Sequence, residues 1–208
     1  FYITYLTTIL KILRCICIKC SKLLIDKEKY CYLCNSNNDD RWNKIFNFAN
    51  KIKRCGEDSL NGCGCLQPKI KKEGLATIVA DWGSNKEDET KLTMKLTPEI
   101  IINIFNKISD EDVNFMGFSS IWSRPEWMVC QVMAVPPPSV RPSVKHNSQQ
   151  RSEDDLTHIL VNIIKSNKTL QEKIEQNANP NIIDDWSTVL QYYVATLVDN
   201  KIPGVAAV

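Results

Sequence analysis

Eight of the nine cysteines of this chain lie between Cys15 and Cys65. The apolar stretch before them, residues 1–13, lacks the basic start of a secretory signal peptide. Together these features indicate a reducing compartment, in which clustered cysteines bind metal rather than form disulfides. Several thiolates can meet one ion only if the backbone around them turns tightly. The sequence therefore predicts a metal-bound region in the first third of the chain.

Two CxxC pairs stand out within this cluster. Cys17 and Cys20 form the first, and this spacing lets two thiolates approach one zinc ion at about 2.3 Å. Cys31 and Cys34 form the second. Spacing alone favours a zinc ribbon built from these two pairs. Further cysteines downstream leave a different ligand set open, and they are Cys55, Cys63 and Cys65.

The middle of the chain changes character abruptly at three consecutive prolines. The segment before them, Trp127–Val135, is apolar with β-branched residues and predicts a buried strand. Pro136–Pro138 should end that strand, because proline has no N–H for a ladder and fixes φ. After Arg141 and Pro142, the polar and mildly basic residues 143–151 predict an exposed loop. We expect a stiff exit from the strand that holds this loop at a fixed place.

The last quarter of the chain has a helical pattern of apolar residues. Ser152 and Asp155 predict a capping box at its start. A loop at residues 177–181 interrupts the pattern. The alternatives are an antiparallel coiled-coil hairpin, whose first helix would have about 24 residues and a length of about 36 Å, and a pair of helices inside a bundle. The expected core positions are Leu156, Leu160, Ile163, Asn167, Leu170, Ile174, Ile183, Trp186, Leu190, Tyr193 and Leu197.

Between the cysteines, the sequence predicts a helix over Asp40–Lys53 whose apolar stripe should pack in the core. The stripe consists of Trp42, Ile45, Phe46, Ala49 and Ile52. After the cysteines, the sequence predicts strands over Leu75–Trp82 and Lys91–Lys95, with a solvated turn at residues 83–90 between them. Thr97 precedes Pro98 and so predicts the start of another helix. Ser109 should cap a short helix that ends near Gly117.

Several classes of function are excluded. The short helix pair after Thr97 is not a DNA-binding helix-turn-helix, because Asp110, Glu111 and Asp112 begin its second helix and have the wrong sign for phosphate contact. A net charge of +2 excludes binding of polyanions by the field of the whole chain. No P-loop or HExxH motif is present. Residues 1–13 are too short for a membrane span, which needs roughly 20 apolar residues.

Three stretches are specific enough to indicate a family. They are Arg124–Met128 (RPEWM), Val135–Ser143 (VPPPSVRPS) and Arg151–Thr157 (RSEDDLT). They resemble the clamp region of the largest subunit of multisubunit DNA-directed RNA polymerases, in the eukaryotic, archaeal and large-DNA-virus form. The resemblance extends with gaps from about Leu13 to Gly204. It implies a mechanical part of a nucleotidyltransferase.

The resemblance also implies which cofactors to expect. In the family, the CxxC before Lys-Leu-Leu is completed by one cysteine after a helix and one in a Gly-Cys-Gly-x-x-Gln-Pro turn. This implies a structural zinc ion bound by Cys17, Cys20, Cys55 and Cys63. Ser21 departs from the pattern, since glycine is usual there, and Cys31 and Cys34 depart too and remain rival ligands. The aspartate signature that binds catalytic magnesium is absent here, so magnesium is expected elsewhere in the parent enzyme.

Two contact regions follow from the same resemblance. Residues 143–151 correspond to the lid, which separates RNA from the template strand, and cationic and amide side chains there suit phosphate and base-edge contacts. The tip of the coiled coil should dock transcription factors. The expected nucleic-acid-binding residues are Arg141, Lys145, His146, Gln149, Gln150 and Arg151, and the expected factor-binding residues are Asn177, Asn179, Pro180 and Asn181.

The sequence as a whole predicts an α+β, mainly helical chain. We expect a zinc-bearing clamp head at residues 1–80, a clamp core at 81–142, the lid at 143–151, a projecting coiled-coil hairpin at 152–200, and the start of the next loop at 201–208. Expected partners are other polymerase subunits, especially the second-largest, the DNA template and nascent RNA, and elongation and initiation factors, with no membrane. We expect a piece of a longer protein in the nucleus or a cytoplasmic viral factory. The alternative is a free-standing zinc-binding coiled-coil interaction module.

Overall fold

The computed structural model describes residues 1–59, 61–84, 91–147 and 150–199. The chain divides into two compact units, residues 4–129 and residues 1–3 together with 130–208. Helices predominate among the described residues, beside a small three-stranded antiparallel sheet, so the expected mixture of α and β structure is confirmed. In the parts of the chain that are described, no helix has the length and apolarity needed to cross a bilayer.

The unit at residues 4–129 begins with helix α1, Leu6–Cys15, whose buried face includes the fully enclosed Ile9 and Ile12. Helix α2, Asn38–Ala49, packs against it. Ile45 and Ala49 of the predicted apolar stripe are fully buried. The stripe therefore belongs to the core, as expected, although α2 is shorter than the predicted helix.

The sheet contains β1 (Lys69–Glu73), β2 (Thr77–Ser84) and β3 (Lys91–Leu96) in sequential antiparallel order. β2 and β3 confirm the two predicted strands. β1 was not predicted, because its sequence KIKKE has one apolar residue. The turn predicted between β2 and β3 lies largely at residues 85–90, outside the described residues. One face of the sheet is buried, with Ile70 opposite Ala80 and Ile78 opposite Leu96.

Two short helices follow the sheet, α3 (Pro98–Phe105) and α4 (Asp110–Phe115). The Thr97 hydroxyl accepts a hydrogen bond from the Ile100 amide at 3.4 Å, and the Ser109 hydroxyl accepts one from the Asp112 amide at 3.2 Å. Both predicted helix starts are therefore confirmed with their caps.

The strand predicted over Trp127–Val135 is wrong. The chain forms a 3-10 helix at Pro125–Met128, and no strand is assigned among the described residues from there to residue 143. Met128 and Val129 are buried, but Val132 is 85% exposed. An apolar run does not specify a strand unless another strand pairs with it, and the structure gives this segment none.

Arg124 explains why the segment starts as it does. Its guanidinium pairs with the carboxylates of Glu126 and Asp110 and donates a hydrogen bond to the Ile108 carbonyl at 3.3 Å. The RPEWM stretch is thereby joined to the end of α3 and the start of α4. Asp110, which made the helix pair unsuitable for DNA, has a structural partner.

The unit that contains residues 130–199 begins with the proline segment. The Arg141 guanidinium donates to the Pro136 carbonyl at 2.9 Å and to the Thr157 hydroxyl at 3.3 Å. The prediction of an exposed loop at residues 143–151 is wrong about the backbone conformation. Strands β4 (Val144–Asn147) and β5 (Gln150–Ser152) form an antiparallel hairpin there. Polar composition favoured a loop, whereas backbone pairing does not require apolar side chains.

Helices α5 (Asp155–Glu175) and α6 (Pro180–Val198) pack against each other across a short connection. The predicted capping box is wrong, since the cap of α5 is Asp154, whose carboxylate accepts from the Leu156 amide at 2.8 Å. Asn167 is exposed, with Ser166 buried instead, and Ile174 is exposed as well, so the core positions assigned to Asn167 and Ile174 are also wrong. The coiled-coil geometry stays a prediction.

The predicted division into functional segments stays a prediction as well. One structural observation bears on where such segments could end. β2 continues through residues 80 and 81, where the clamp head was expected to meet the clamp core. An element that pairs on both sides of that point makes residues 4–129 one structural unit.

Candidate metal centre

Four cysteine sulfurs meet in the unit at residues 4–129. The Sγ atoms of Cys17, Cys20, Cys55 and Cys63 all lie within 4.8 Å of one another. Cys17 and Cys63 are 3.6 Å apart, and so are Cys20 and Cys55. Two segments that are more than thirty residues apart in sequence therefore contribute two thiols each.

The first two thiols are positioned by a tight turn directly after α1. The Cys17 amide donates to the Lys22 carbonyl at 2.8 Å, and the Ser21 amide donates to the Cys17 carbonyl at 2.9 Å. Ile16 and Leu23 pair as an isolated antiparallel bridge around the turn. These bonds fix the backbone so that both side chains point to the same side.

The second two thiols are positioned by a similar arrangement after α2. The Cys55 amide donates to the Cys65 carbonyl at 2.9 Å, and the Gly64 amide donates to the Cys55 carbonyl at 3.0 Å. Arg54 and Leu66 form the bridge that brackets this turn. The two halves of the cluster therefore use the same local solution, a small antiparallel turn with a cysteine on each side.

Each half contains a residue in left-handed backbone conformation directly after a cysteine. Gly64 has a φ of 73°, which glycine adopts without steric cost. Ser21 has a φ of 59°, and its Oγ is buried with no hydrogen-bond partner among the described residues. The departure from glycine noted in the sequence therefore falls on a position where a Cβ is unfavourable.

Gln67 connects the two halves, and sequence reasoning did not assign it a role. Its Nε2 donates to the Cys17 sulfur at 3.3 Å and to the Cys65 carbonyl at 2.8 Å, and its Oε1 accepts from the Ile18 amide at 3.1 Å. The signal that could have found it is the Gln of the Gly-Cys-Gly-x-x-Gln-Pro turn. An N–H donated to a ligand sulfur orients that ligand and stabilises its negative charge.

The electrostatics of the cluster are uneven. The Cys65 amide and the neighbouring thiols lower the pKa of the exposed Cys63 to about 7. Burial raises the pKa of Cys55 to about 12 and raises the pKa of Cys20 as well. Four sulfurs this close can all be thiolates only with a cation among them.

The residues present fit a zinc ion. Zinc–sulfur bonds of about 2.3 Å in a tetrahedron place the sulfurs about 3.8 Å apart, close to the two separations of 3.6 Å. A set of four thiols leaves no open coordination position, which is typical of a structural site. The cluster is therefore compatible with structural zinc.

The rival pair lies elsewhere in the same unit. Cys31 and Cys34 are exposed on a 3-10 helix, Cys31–Asn35, and neither belongs to a group of metal-binding side chains in the described part of the chain. Cys65 is close in sequence but is also outside the cluster, and its thiol donates to the Leu66 carbonyl.

Residues 1–208 match the family model described as RNA polymerase Rpb1, domain 1. The chain belongs to this family. The resemblance inferred from three short stretches is thereby confirmed: this is the largest-subunit family of DNA-directed RNA polymerase, an enzyme complex, and other polymerase subunits are its partners.

The expected nucleic-acid-binding residues of this RNA polymerase domain lie around the β4–β5 hairpin. Arg141 is half-buried at its base, and Lys145 is exposed on β4. The backbone of His146, Gln150 and Arg151 forms part of the hairpin, but their side chains lie outside the described residues, as does the whole of Gln149.

The expected factor-binding residues lie where α5 connects to α6. Asn177, Asn179, Pro180 and Asn181 are all exposed. Asn177 has a φ of 48°, and the Asn179 side chain caps α6 by accepting from the Asn181 amide at 3.0 Å. The sequence did not reveal that Asn179 and Pro180 also have a structural role at the start of a helix.

Proposed function

We propose that this domain is the clamp of the polymerase, which holds the DNA–RNA hybrid, separates RNA from template and docks transcription factors. The observation that supports this is the match to the largest-subunit family over the full 208 residues. Zinc in the four-cysteine cluster would rigidify the two turns that follow α1 and α2 within residues 4–129. We place the catalytic magnesium and its ligands outside this domain.

The proposed role of zinc is mechanical. Bound by Cys17, Cys20, Cys55 and Cys63, one ion would tie the turn after α1 to the turn after α2. Among the described residues that these turns enclose between the pairs Ile16–Leu23 and Arg54–Leu66, the buried apolar side chains are Cys17 and Cys55 alone. Ligand binding and local folding therefore become one equilibrium. A clamp that closes over nucleic acid needs an outer part that moves as a rigid body, and a cross-link of this kind supplies it.

The proposed role of the β4–β5 hairpin is strand separation. Paired strands hold a fixed shape better than a free loop of the same length, and Arg141 fastens the base of the hairpin to Thr157 at the start of α5. The exposed Lys145 provides a cation for phosphate contact. A rigid hairpin on a fixed base is suited to stay between two strands that would otherwise re-pair.

The function is tested in the assembled polymerase by deleting residues 144–150. We expect normal RNA synthesis on a short hybrid but failure to displace the RNA, measured as extended RNA–DNA hybrid in elongation complexes. The control is Val144→Ala, which changes an exposed apolar side chain of β4, keeps the hairpin and should leave displacement unchanged. Normal RNA displacement by the deletion variant would contradict the proposal.

The proposed role of the α5–α6 connection is the docking of elongation factors. Its exposed amides and the fixed backbone at Asn177 present a polar surface of defined shape. The test is binding of an elongation factor by polymerases that carry Asn177→Gly and Asn181→Ala, which remove two side-chain amides but keep the positive φ at residue 177 and the cap of α6. Unchanged affinity would contradict this assignment.

A further inference from the structure

Cys31 and Cys34 are left out of the zinc cluster, yet they have a defined mutual arrangement. They occupy positions one and four of the 3-10 helix Cys31–Asn35. A 3-10 helix has 3.0 residues per turn and rises about 2.0 Å per residue, so these two side chains are aligned and their Cα atoms lie about 6 Å apart. This separation is within the range of about 4.4–6.8 Å that a disulfide requires.

The helix that presents them is anchored on its other side. Leu33 is fully buried. Tyr30, directly before the helix, stacks on Phe48 of α2 with ring centres 4.9 Å apart. Cys31 and Cys34 lie on the same short helix and are both exposed. A solvent-borne reagent can therefore reach either sulfur without unfolding the chain.

Two thiols are too few for a structural zinc ion, which takes four ligands. In the described part of the chain, neither cysteine belongs to a group of three or more side chains that could hold a metal. The pair is nevertheless placed to react with itself. We propose that Cys31 and Cys34 are a reversible dithiol that closes to a disulfide on reaction with low-molecular-weight disulfides such as oxidised glutathione.

The reaction balances in two exchanges. The thiolate of one cysteine attacks oxidised glutathione, which forms a mixed disulfide and releases one glutathione thiolate. The second cysteine, as thiolate, attacks the protein sulfur of that mixed disulfide and releases the second glutathione. The protein loses two electrons and two protons, and one molecule of oxidised glutathione is reduced to two thiols.

The helix favours the second exchange over accumulation of the mixed disulfide. A neighbouring thiol on the same turn has an effective concentration in the millimolar range or above, and the Cα separation of the helix lies within the range found for disulfides. The zinc-bound cysteines would not compete, because a metal-bound thiolate with its position fixed is less free to attack. The expected product is therefore one internal disulfide.

The experiment uses the assembled polymerase, treated with oxidised glutathione, quenched with N-ethylmaleimide and digested with trypsin. Cleavage after Lys29 and Arg41 yields a peptide, residues 30–41, that contains these two cysteines alone. After oxidation, we expect neither cysteine of this peptide to be alkylated, and we expect its mass to be lower than that of the unalkylated reduced peptide by two hydrogens. After prior reduction, both cysteines should be alkylated. A peptide that stays doubly alkylated, or that carries glutathione, would overturn the proposal.

A variant and a metal measurement complete the test. In Cys34→Ser the closing thiol is gone, so the peptide should retain glutathione on Cys31. The zinc content of the Cys34→Ser polymerase should equal that of the unmodified enzyme. Release of zinc on oxidation of this pair, or zinc-dependent protection of Cys31 from alkylation, would show that the pair binds metal and would overturn the dithiol assignment.

Discussion

Ser21 shows how one side chain departs from what its backbone position favours. Its φ of 59° is costly for any residue with a Cβ, and its buried hydroxyl has no partner among the described residues. We expect Ser21→Gly to raise the free energy of unfolding of the zinc-loaded protein by about 0.5–1 kcal/mol, measured by denaturant titration.

Two control variants separate the contribution of the strained backbone from that of the buried hydroxyl. Ser21→Ala removes the hydroxyl but keeps the Cβ, so it should recover only part of the gain. Gly64→Ala introduces a Cβ at a φ of 73°, where no other atom lies within 4 Å, and should cost about 1 kcal/mol through the backbone alone. If Ser21→Gly is destabilising, the strain assigned to this position is wrong.

The ligand set is tested one cysteine at a time. We expect Cys55→Ser to lose zinc while most helix and sheet signal remains, because Cys55 is a buried member of the cluster and the ion would join only the two turns. Cys31→Ser is the matched control and should keep a full complement of zinc. The measurement is metal content by mass spectrometry beside far-UV circular dichroism. Full zinc in Cys55→Ser, or its loss in Cys31→Ser, would favour the rival ligands.

Asp112 is an acidic residue whose role the sequence left unassigned beyond excluding DNA contact. It is buried, its carboxylate accepts from the Leu23 amide at 3.4 Å, and it pairs with Lys27 at 2.9 Å. We expect Asp112→Asn to cost about 1–2 kcal/mol in the free energy of unfolding, because it weakens both contacts. Glu111→Gln is the control, since Glu111 also contacts Lys27 but is largely exposed. If both substitutions changed the free energy of unfolding equally, the burial of Asp112 would not add to the strength of its contacts.

At the scale of elements, the start of α6 combines a structural and a proposed binding role. Asn179 caps the helix and Pro180 occupies its first turn. We expect Asn179→Ala to destabilise the helix end by about 1 kcal/mol and Asn179→Asp to preserve it, because aspartate caps equally well. Thermal unfolding followed by circular dichroism measures both. Equal melting of the two variants would show that the side-chain cap contributes nothing.

The elements that sequence patterns predicted correctly are those with local signals. Thr97 and Ser109 begin helices because the capping hydroxyl lies within three residues of the amide it bonds. The failures depend on distant partners. β1 is a strand because β2 pairs with it, despite its lysines, and residues 129–135 are not a strand because none pairs with them. The alternation of apolar and polar side chains along a segment does not show whether another strand is available to pair with it.

At the scale of the whole molecule, the same limit applies to the metal centre. Spacing alone favoured Cys31 with Cys34, whereas the sulfurs of Cys55 and Cys63 lie beside those of the first pair, because a ligand pair is selected by packing between segments far apart in sequence. The resemblance to a family supplied that choice. The four sulfurs meet because α1 and α2 pack together and place the turns that follow them side by side, which no local pattern encodes.

If zinc joins those two turns, its removal should affect residues 4–129 unequally. We expect chelation to increase amide hydrogen exchange by at least about tenfold at residues 17–23 and 54–66. Exchange in the paired strands β2 and β3 should rise less, since backbone hydrogen bonds and a buried face stabilise them independently of any thiol. Restoring zinc should restore protection in full.

Two outcomes would contradict this account, and they do so in different ways. Uniform loss of protection across residues 4–129 would mean that the metal supports the whole core and not only the two turns. Unchanged amide hydrogen exchange after chelation would mean that the backbone hydrogen bonds and Gln67 stabilise the turns without zinc. The four thiols would then lie close together without a metal ion joining them. The proposed rigid outer part of the clamp requires the graded result, because only a local cross-link lets the turns depend on zinc while the sheet beneath them keeps its shape.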